Sequence, residues 1–462
     1  MALSGMPTAD FGASREAVPR VTVSVPTSLR VLFACFVLYL AFGKGFAYAG
    51  WPPVYVGEVL LAVALVAALE RRPVLPHGVA PAVTALLVGI AIAQAAIDRL
   101  HSAVPLVETV RGLAPVYYAL FAFAVYSLVR DIERRVGRAD AAAAIHRGAA
   151  VAVPVVMLGL ILVTAAAARW GSAVPRWPGS GGPLLVPKAG DPAVALVVVA
   201  PVLLGSDTLR AKPALRNVML LLWVVVGVVL AFRSRGAMLA LLVGLLLVRP
   251  HVVRLVKLLL AGLAVVLLLY VTGLRLDLGE REVSYDALVT SVASLGGSAT
   301  NEELGSSYLG TRNWRADWWE SIWADVRDEQ MVFHGRGWGD NLALRHGITP
   351  SVPPDEERVL RLPHNLFLSL AGRAGLMMAI GFIAVPVLTI ARTFSGSSPA
   401  PLTVQAARGG IAAALTTGMA DVYIESPQGG IVIWVLIGYL WWATASPLPE
   451  PDLSVEPVAA SA

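Results

Sequence analysis

The chain has 462 residues, of which 57% are hydrophobic and 15% charged, and its mean hydropathy is +0.70. A soluble globular protein rarely has this composition, and apolar runs long enough to span a bilayer as helices recur between short charged or Pro/Gly-rich stretches. These runs do not alternate in the way that strands of a membrane barrel do. The net charge of +5 is attributed to Lys and Arg in cytoplasmic loops, and no nucleic-acid partner is predicted.

Cysteine usage sets further limits. The chain has one cysteine, Cys35, inside an apolar run, so that no disulfide can form within the chain and no Cys/His metal cluster is available. No His/Asp/Glu spacing indicates a metal and no nucleotide-binding glycine loop is present, so we predict neither metal nor cofactor. The first apolar run lacks a convincing cleavage site and is interpreted as a membrane span.

The predicted fold class is an all-α polytopic membrane protein with about twelve transmembrane helices and one large extracytoplasmic loop that contains amphipathic helices. The predicted spans are residues 30–48, 53–69, 78–97, 112–129, 148–168, 191–206, 217–232, 237–249, 255–273, 365–391, 409–424 and 429–445. The predicted domains are a disordered cytoplasmic tail (1–28), an N-terminal transmembrane bundle (29–273), the large extracytoplasmic loop (274–363), C-terminal transmembrane helices (364–445) and a cytoplasmic tail (446–462).

The distribution of positive charge predicts the orientation. When the N-terminus is placed inside, half of all Lys and Arg residues fall on the short inner loops and the N-terminal segment, as the positive-inside rule expects. Both termini are then cytoplasmic. A Pro/Gly-rich segment at 169–190 and the long segment at 274–363 lie outside.

The long outer loop contains a periodic segment, "TRNWRADWWESIWADV". Trp314, Trp318, Ile322 and Val326 recur every four residues, which predicts one apolar face of a helix. Because tryptophan favours the membrane–water boundary, we expect this helix on the outer surface of the bundle.

A histidine follows this loop in the stretch "RVLRLPHNLFLSLAGRAG". Pro363 supplies a fixed φ at the expected helix start, and His364 then lies near a helix N-terminus, where the helix dipole disfavours an imidazolium. A neutral imidazole at this position is a usable general base. The alternative is an interfacial histidine that only caps the helix or hydrogen-bonds. The nearby acidic run Asp355, Glu356 and Glu357 is a rival base or an orienting group, or simply a solvated stretch.

Several arginines occupy positions on the predicted outer face. Arg233 and Arg235 in "FRSRGAML" lie between two spans with almost no loop, and a guanidinium can hold a phosphate with two parallel hydrogen bonds. Arg312 and Arg315 in "GTRNWRADWW" are neighbours on a helix, and Arg111 lies near another span end. The alternatives are contacts with lipid headgroups for the first pair and a solvated polar face for the second.

The outer loop also contains a glycine-rich turn, "HGRGWGDN", with Gly337 and Gly339. Its backbone can approach a ligand closely, and the alternative is a plain surface turn.

The order of these motifs resembles the O-antigen ligase and Wzy-type O-antigen polymerase superfamily. "SRGAMLALLVGLLL", "GTRNWRADWW", "HGRGWGDN" and "PHNLFLSLAGRAGL" follow one another across one outer loop, and the resemblance covers about residues 220 to 395. It implies a multi-pass protein of the bacterial cytoplasmic membrane with a GT-C-like fold. The implied activity is transfer of a glycan from a polyprenyl-diphosphate-linked donor to an acceptor hydroxyl on a glycan or lipid, at the extracytoplasmic side, with inversion and without a metal.

The resemblance also implies residue roles. His364, followed by Asn365, corresponds to the general base, Arg235 to a diphosphate-binding residue, and Arg312 or Arg315 to the outer-loop arginine. Arg233 has no firm counterpart, and Arg111 is a further candidate for binding the donor diphosphate. The alternatives are a polysaccharide polymerase, a protein O-oligosaccharyltransferase or, in a different class, a membrane transporter. A transporter is expected to contain two related halves with polar residues at the midplane, which the sequence does not display. The resemblance implies no oligomeric state.

Overall fold

The structure is a computed structural model that describes residues 25–101, 104–169, 173–186, 188, 190–248, 260, 262–264, 266–268, 270–273, 275–277, 282–293, 302–348, 362–395 and 400–448. This part of the chain is mostly helical. The first helices are α1 (Thr27–Phe42), α2 (Lys44–Ala47), α3 (Val56–Glu70), α4 (Val79–His101), α5 (Leu106–Tyr117), α6 (Leu120–Val136) and α7 (Arg138–Arg169). Between α2 and α3, strands β1 (Gly50–Trp51) and β2 (Val54–Tyr55) form an antiparallel pair in which Gly50 lies opposite Tyr55.

The helices of the second half include the predicted outer-loop helix. They are α8 (Gly190–Gly205), α9 (Asp207–Arg210), α10 (Pro213–Arg233), α11 (Arg235–Val248), α12 (Gly262–Thr272), α13 (Tyr285–Ala293), α14 (Glu302–Asp328), α15 (Leu342–Arg345), α16 (Leu366–Ala374), α17 (Leu376–Arg392), α18 (Leu402–Gly418) and α19 (Pro427–Thr444). Strands β3 (Leu276–Asp277) and β4 (Glu282–Val283) pair antiparallel before α13.

Each predicted span overlaps one of these helices or a pair of them, and residues 255–259 of the span 255–273 lie outside the described residues. Within the described residues, three helices are long and apolar enough to cross a membrane: Val79–His101, Arg138–Ala166 and Pro213–Leu230. A fourth span results if α5 and α6, which meet at a 44° bend, cross the membrane together. Apolar helices of this kind are typical of a membrane protein, whereas the count of twelve spans stays a prediction.

The structure corrects three predicted boundaries. The predicted span 365–391 is two helices, because Gly375 has φ +96° and ends α16 before α17 begins. The predicted span 409–424 begins earlier and ends at Gly418, because polar residues follow in the turn at 419–426. Pro363 precedes the helix start, and Asn365 is the residue that caps α16 by accepting a hydrogen bond from Leu368 N at 3.2 Å.

Helix α8 lies at the centre of the bundle. Its sequence is apolar around the whole circumference, which suits a helix surrounded by other helices, and nearly all of its residues are buried. Small residues allow α11 and α18 to approach it and each other: a Cβ on Gly409 would lie 2.9 Å from the carbonyl oxygen of Gly244. The start of α8 meets the end of α18, where a Cβ on Gly190 would lie 2.5 Å from Thr417 Cγ2.

The predicted amphipathic helix of the outer loop is α14. Trp318, Ile322 and Val326 form the predicted apolar face, but they are buried within the protein and not at the expected membrane–water boundary. Ile322 Cγ2 lies 3.3 Å from the position of a Cβ on Gly372 of α16. The apolar face of α14 is therefore covered by protein, and α14 packs against the helix that follows His364.

Candidate active site

His364 lies in a short non-helical segment just before the cap of α16. Its backbone is left-handed, with φ +56°, a conformation that His tolerates better than most side chains. The side chain is 18% exposed, and its Nδ1 lies 3.1 Å from Oδ1 of Asp421. When Nδ1 carries the proton and donates a hydrogen bond to the carboxylate, Nε2 carries the lone pair that a general base needs.

Helix α14 fixes the same segment from the other side. The indole Nε1 of Trp319 donates a hydrogen bond to the carbonyl oxygen of Pro363 at 2.6 Å. The ring of Trp314 meets the His364 imidazole edge to face, with centroids 6.3 Å apart. These contacts restrict the position of the imidazole independently of Asp421.

Asp421 comes from the turn between α18 and α19. Its Oδ1 accepts a hydrogen bond from Val422 N at 2.7 Å and lies 3.4 Å from Nζ of Lys188. Lys188 also donates to the carbonyl oxygen of Val422 at 3.0 Å. The aspartate is thus held by the backbone of its own turn and by a cation from the segment that precedes α8.

Two of the predicted arginines lie on helices that reach this turn. Arg315 donates from Nη1 to the carbonyl oxygen of Ala420 at 3.0 Å, and its guanidinium lies 5.6 Å from the centre of the Trp314 ring. Arg235 is the first residue of α11 and is half-buried; a Cβ on the adjacent Gly236 would lie 3.2 Å from Ala420 Cβ. The Ser-Arg-Gly turn and α14 therefore both contact the turn that carries Asp421.

The other predicted arginines are placed differently. Arg233 is the last residue of α10 and half-buried, separated from Arg235 by the extended Ser234. Arg312 lies on α14, but its side chain is outside the described residues. Arg111 on α5 pairs with Glu108 at 3.2 Å and is half exposed.

The glycine-rich turn packs against protein in the structure. Gly337 has φ +101° and donates its N–H to the carbonyl oxygen of Arg373 at 2.9 Å. Trp338 N donates to Oδ2 of Asp98 at 2.9 Å, and a Cβ on Gly339 would overlap Val104. These contacts join the outer loop to α4, α5 and α16, and they account for both glycines without a ligand. A contact of Gly337 or Gly339 with substrate stays a prediction.

The charges around His364 favour its neutral form. Burial lowers the pKa of the imidazole below its ordinary value, and the positive charges of Arg315 and Lys188 act in the same direction, while Asp421 opposes them. Burial also acts to raise the pKa of the Asp421 carboxyl. The hydrogen bond from His364 and the charge of Lys188 outweigh it and hold this pKa well below its usual range. An ionised aspartate therefore faces a neutral histidine.

Asp421 and Lys188 are absent from the sequence-based prediction. One signal for Asp421 was present: an aspartate inside a predicted span is costly and usually has a functional partner. Lys188 has no such signal, because it lies in a Pro/Gly-rich segment. The rival bases Asp355, Glu356 and Glu357 lie outside the described residues. Within the described residues, no group of three or more His, Cys, Asp or Glu side chains is arranged to hold a metal ion.

A protein-family model described as O-Antigen ligase matches residues 220–383. This segment, about a third of the chain, is similar to the O-antigen ligase family. The match contains Arg235, Arg315 and His364, and it confirms the resemblance drawn from the order of the motifs. This family comprises glycosyltransferase-like ligases and polymerases and supports an enzymatic role in a membrane. A search of curated proteins found no match for the chain.

Proposed function

We propose that the protein is a glycosyltransferase of the O-antigen ligase type in the bacterial cytoplasmic membrane. It transfers a glycan from a polyprenyl-diphosphate donor to an acceptor hydroxyl at the extracytoplasmic side. The observation that carries the proposal is the His364–Asp421 pair beside the turn that Arg315 and Arg235 approach. This arrangement supports the proposal, because a base and guanidinium groups around one turn suit transfer from a diphosphate-linked donor.

In the proposed reaction, Nε2 of His364 takes the proton of the acceptor hydroxyl while the acceptor oxygen attacks the anomeric carbon. The bond between that carbon and the diphosphate oxygen breaks, and the electron pair leaves with the diphosphate. One displacement of this kind inverts the anomeric centre. Asp421 orients the imidazole and stabilises the imidazolium that forms, as a carboxylate does behind other histidine bases.

The arginines act on the leaving group. Guanidinium groups held in place before the reaction stabilise the negative charge that grows on the diphosphate, so the chemistry needs no metal ion. We assign this role to Arg235 and Arg315, with Arg312 and Arg233 as further candidates. Ligase, polymerase and protein O-oligosaccharyltransferase activities share these steps and differ in the acceptor.

The test uses the purified full-length chain, reconstituted in liposomes with a polyprenyl-diphosphate-linked glycan as donor. We expect His364→Ala to lower the transfer rate by roughly a hundred- to ten-thousand-fold, the usual range for loss of a general base. Donor binding and membrane insertion are expected to stay intact. Near-normal turnover of this variant would remove His364 from the mechanism.

A further inference from the structure

The segment that precedes α8 ends at a lysine that faces the candidate active site. Lys188 is 16% exposed, and its ammonium group contacts both Oδ1 of Asp421 and the carbonyl oxygen of Val422. No other cation within the described residues forms an ion pair with Asp421. This contact joins the predicted outer segment to Asp421, the partner of the proposed base, although the two are far apart in the sequence.

This segment is itself fixed to the region around α2. Trp177 Nε1 donates to the carbonyl oxygen of Gly45 at 2.7 Å, and Ser180 Oγ donates to that of Tyr48 at 2.7 Å. At its other end, Asp191 N donates to the carbonyl oxygen of Lys188 at 3.2 Å. The segment is therefore fixed near α2 through Trp177 and Ser180, and Lys188 itself is joined to the start of α8.

The charges that face His364 come from three separate elements. Arg315 lies on α14, Asp421 lies in the turn after α18, and Lys188 lies before α8. Two more buried carboxyls, Asp191 and Glu425, lie near Lys188. A carboxylate in such surroundings stays ionised and correctly oriented only when a cation or hydrogen-bond donors hold it.

We propose that Lys188 is a positioning residue that holds the Asp421 carboxylate against Nδ1 of His364, which makes Lys188 of the predicted outer segment part of the active site. The inference rests on the proposed function and assigns to that site a residue outside the matched family region. Lys188 acts through Asp421 and does not touch the reacting atoms.

The first test is the pH profile of kcat/KM for Lys188→Met in the reconstituted enzyme. The charge of Lys188 lowers the pKa of His364, so its loss raises this pKa, and the rising limb of the profile moves to higher pH. Asp421→Asn removes a negative charge and moves the same limb to lower pH. We expect kcat of Lys188→Met to fall roughly ten-fold, less than for loss of the base itself.

The second test is a double-mutant cycle. If Lys188 acts through Asp421, Lys188→Met lowers kcat far less in the Asp421→Asn variant than in the wild type. The reason is that the effects of substitutions within one interaction network are not additive. Lys188→Arg keeps the charge and is expected to restore both the pH profile and most of kcat. This conservative variant separates the proposed role from a loss of folding.

Lys44→Met is the matched control. Lys44 is also a half-buried lysine near Asp191, at the start of α2, but its ammonium group lies 5.6 Å from the centre of the Tyr48 ring, and its contact with Asp191 is made by the backbone. Its pH profile is expected to equal that of the wild type.

The outcomes separate two failures. If His364→Ala is inactive but Lys188→Met keeps the wild-type pH profile, the positioning role is wrong and the proposed function stands. A raised KM for the donor with an unchanged profile also overturns it, since Lys188 would then contact the donor. If His364→Ala stays active, the proposed function itself fails.

Discussion

His364 combines a left-handed backbone, a buried imidazole and a carboxylate partner. Its presence at the start of an apolar run is explained by these contacts. The sequence predicted the position and the neutral state of this residue. It attributed the neutral state to the helix dipole, whereas the structure adds burial and the charges of Arg315 and Lys188 as causes.

The first prediction concerns the pH dependence of the wild-type enzyme. The base must be neutral, so kcat/KM rises as the pH rises through the pKa of His364. Because burial lowers this pKa, we expect the rising limb below the ordinary value for histidine, which is about 6.5. A limb above that value in the reconstituted enzyme would contradict the assignment of His364 in this environment.

The second prediction concerns Arg235. Arg235→Ala is expected to lower transfer strongly, and Arg235→Lys to recover only part of it, since a lysine cannot make the two parallel hydrogen bonds that a guanidinium makes. Arg210→Ala is the control, because Arg210 pairs with Asp207 on α9 and lies on the predicted inner face. Initial rates against donor concentration measure both effects. Equal rates for Arg235→Ala and the wild type rule out the diphosphate role.

At the scale of elements, the sequence predicted which segments form helices but not which residues of different helices meet. The four-residue spacing in α14 and the apolar runs predicted helices correctly. The pairing of His364 with Asp421 was not predictable from spacing, because the two residues are 57 positions apart and meet only when α16 packs beside the end of α18. The same holds for Lys188, whose position depends on the start of α8 meeting the end of α18.

The third prediction concerns the break between α16 and α17. Gly375 has φ +96°, and a Cβ there would lie 2.7 Å from the backbone N of His334. Gly375→Ala is therefore expected to destabilise the protein by about 1–3 kcal/mol and to displace the glycine-rich turn. Gly347→Ala is the control: its φ is +64°, but nothing lies within 4 Å of the added Cβ. Thermal unfolding in detergent measures both, and equal melting temperatures contradict the role of the contact.

At the scale of the whole molecule, the fourth prediction concerns the orientation of the bundle. We propose twelve spans with both termini inside, since the positive charges of the short loops favour this arrangement. Single cysteines at Glu320 on α14 and at Lys212 before α10, in a Cys35→Ser background, test it with a membrane-impermeant reagent. We expect labelling of position 320 from outside and of position 212 only after the membrane is opened. The reverse pattern would place the candidate active site on the cytoplasmic side.

The burial of α8 has a consequence for the choice of lipid. The candidate spans α4, α7 and α10 have 33%, 44% and 28% of their apolar windows buried, so in the proposed arrangement most of their apolar surface faces the hydrocarbon. A thinner or thicker bilayer tilts or strains such helices first. Helix α8 contacts mainly other helices, and Lys188, which lies just before it, contacts Asp421. We therefore expect transfer rates in liposomes to change little with acyl-chain length, while thermal stability follows bilayer thickness.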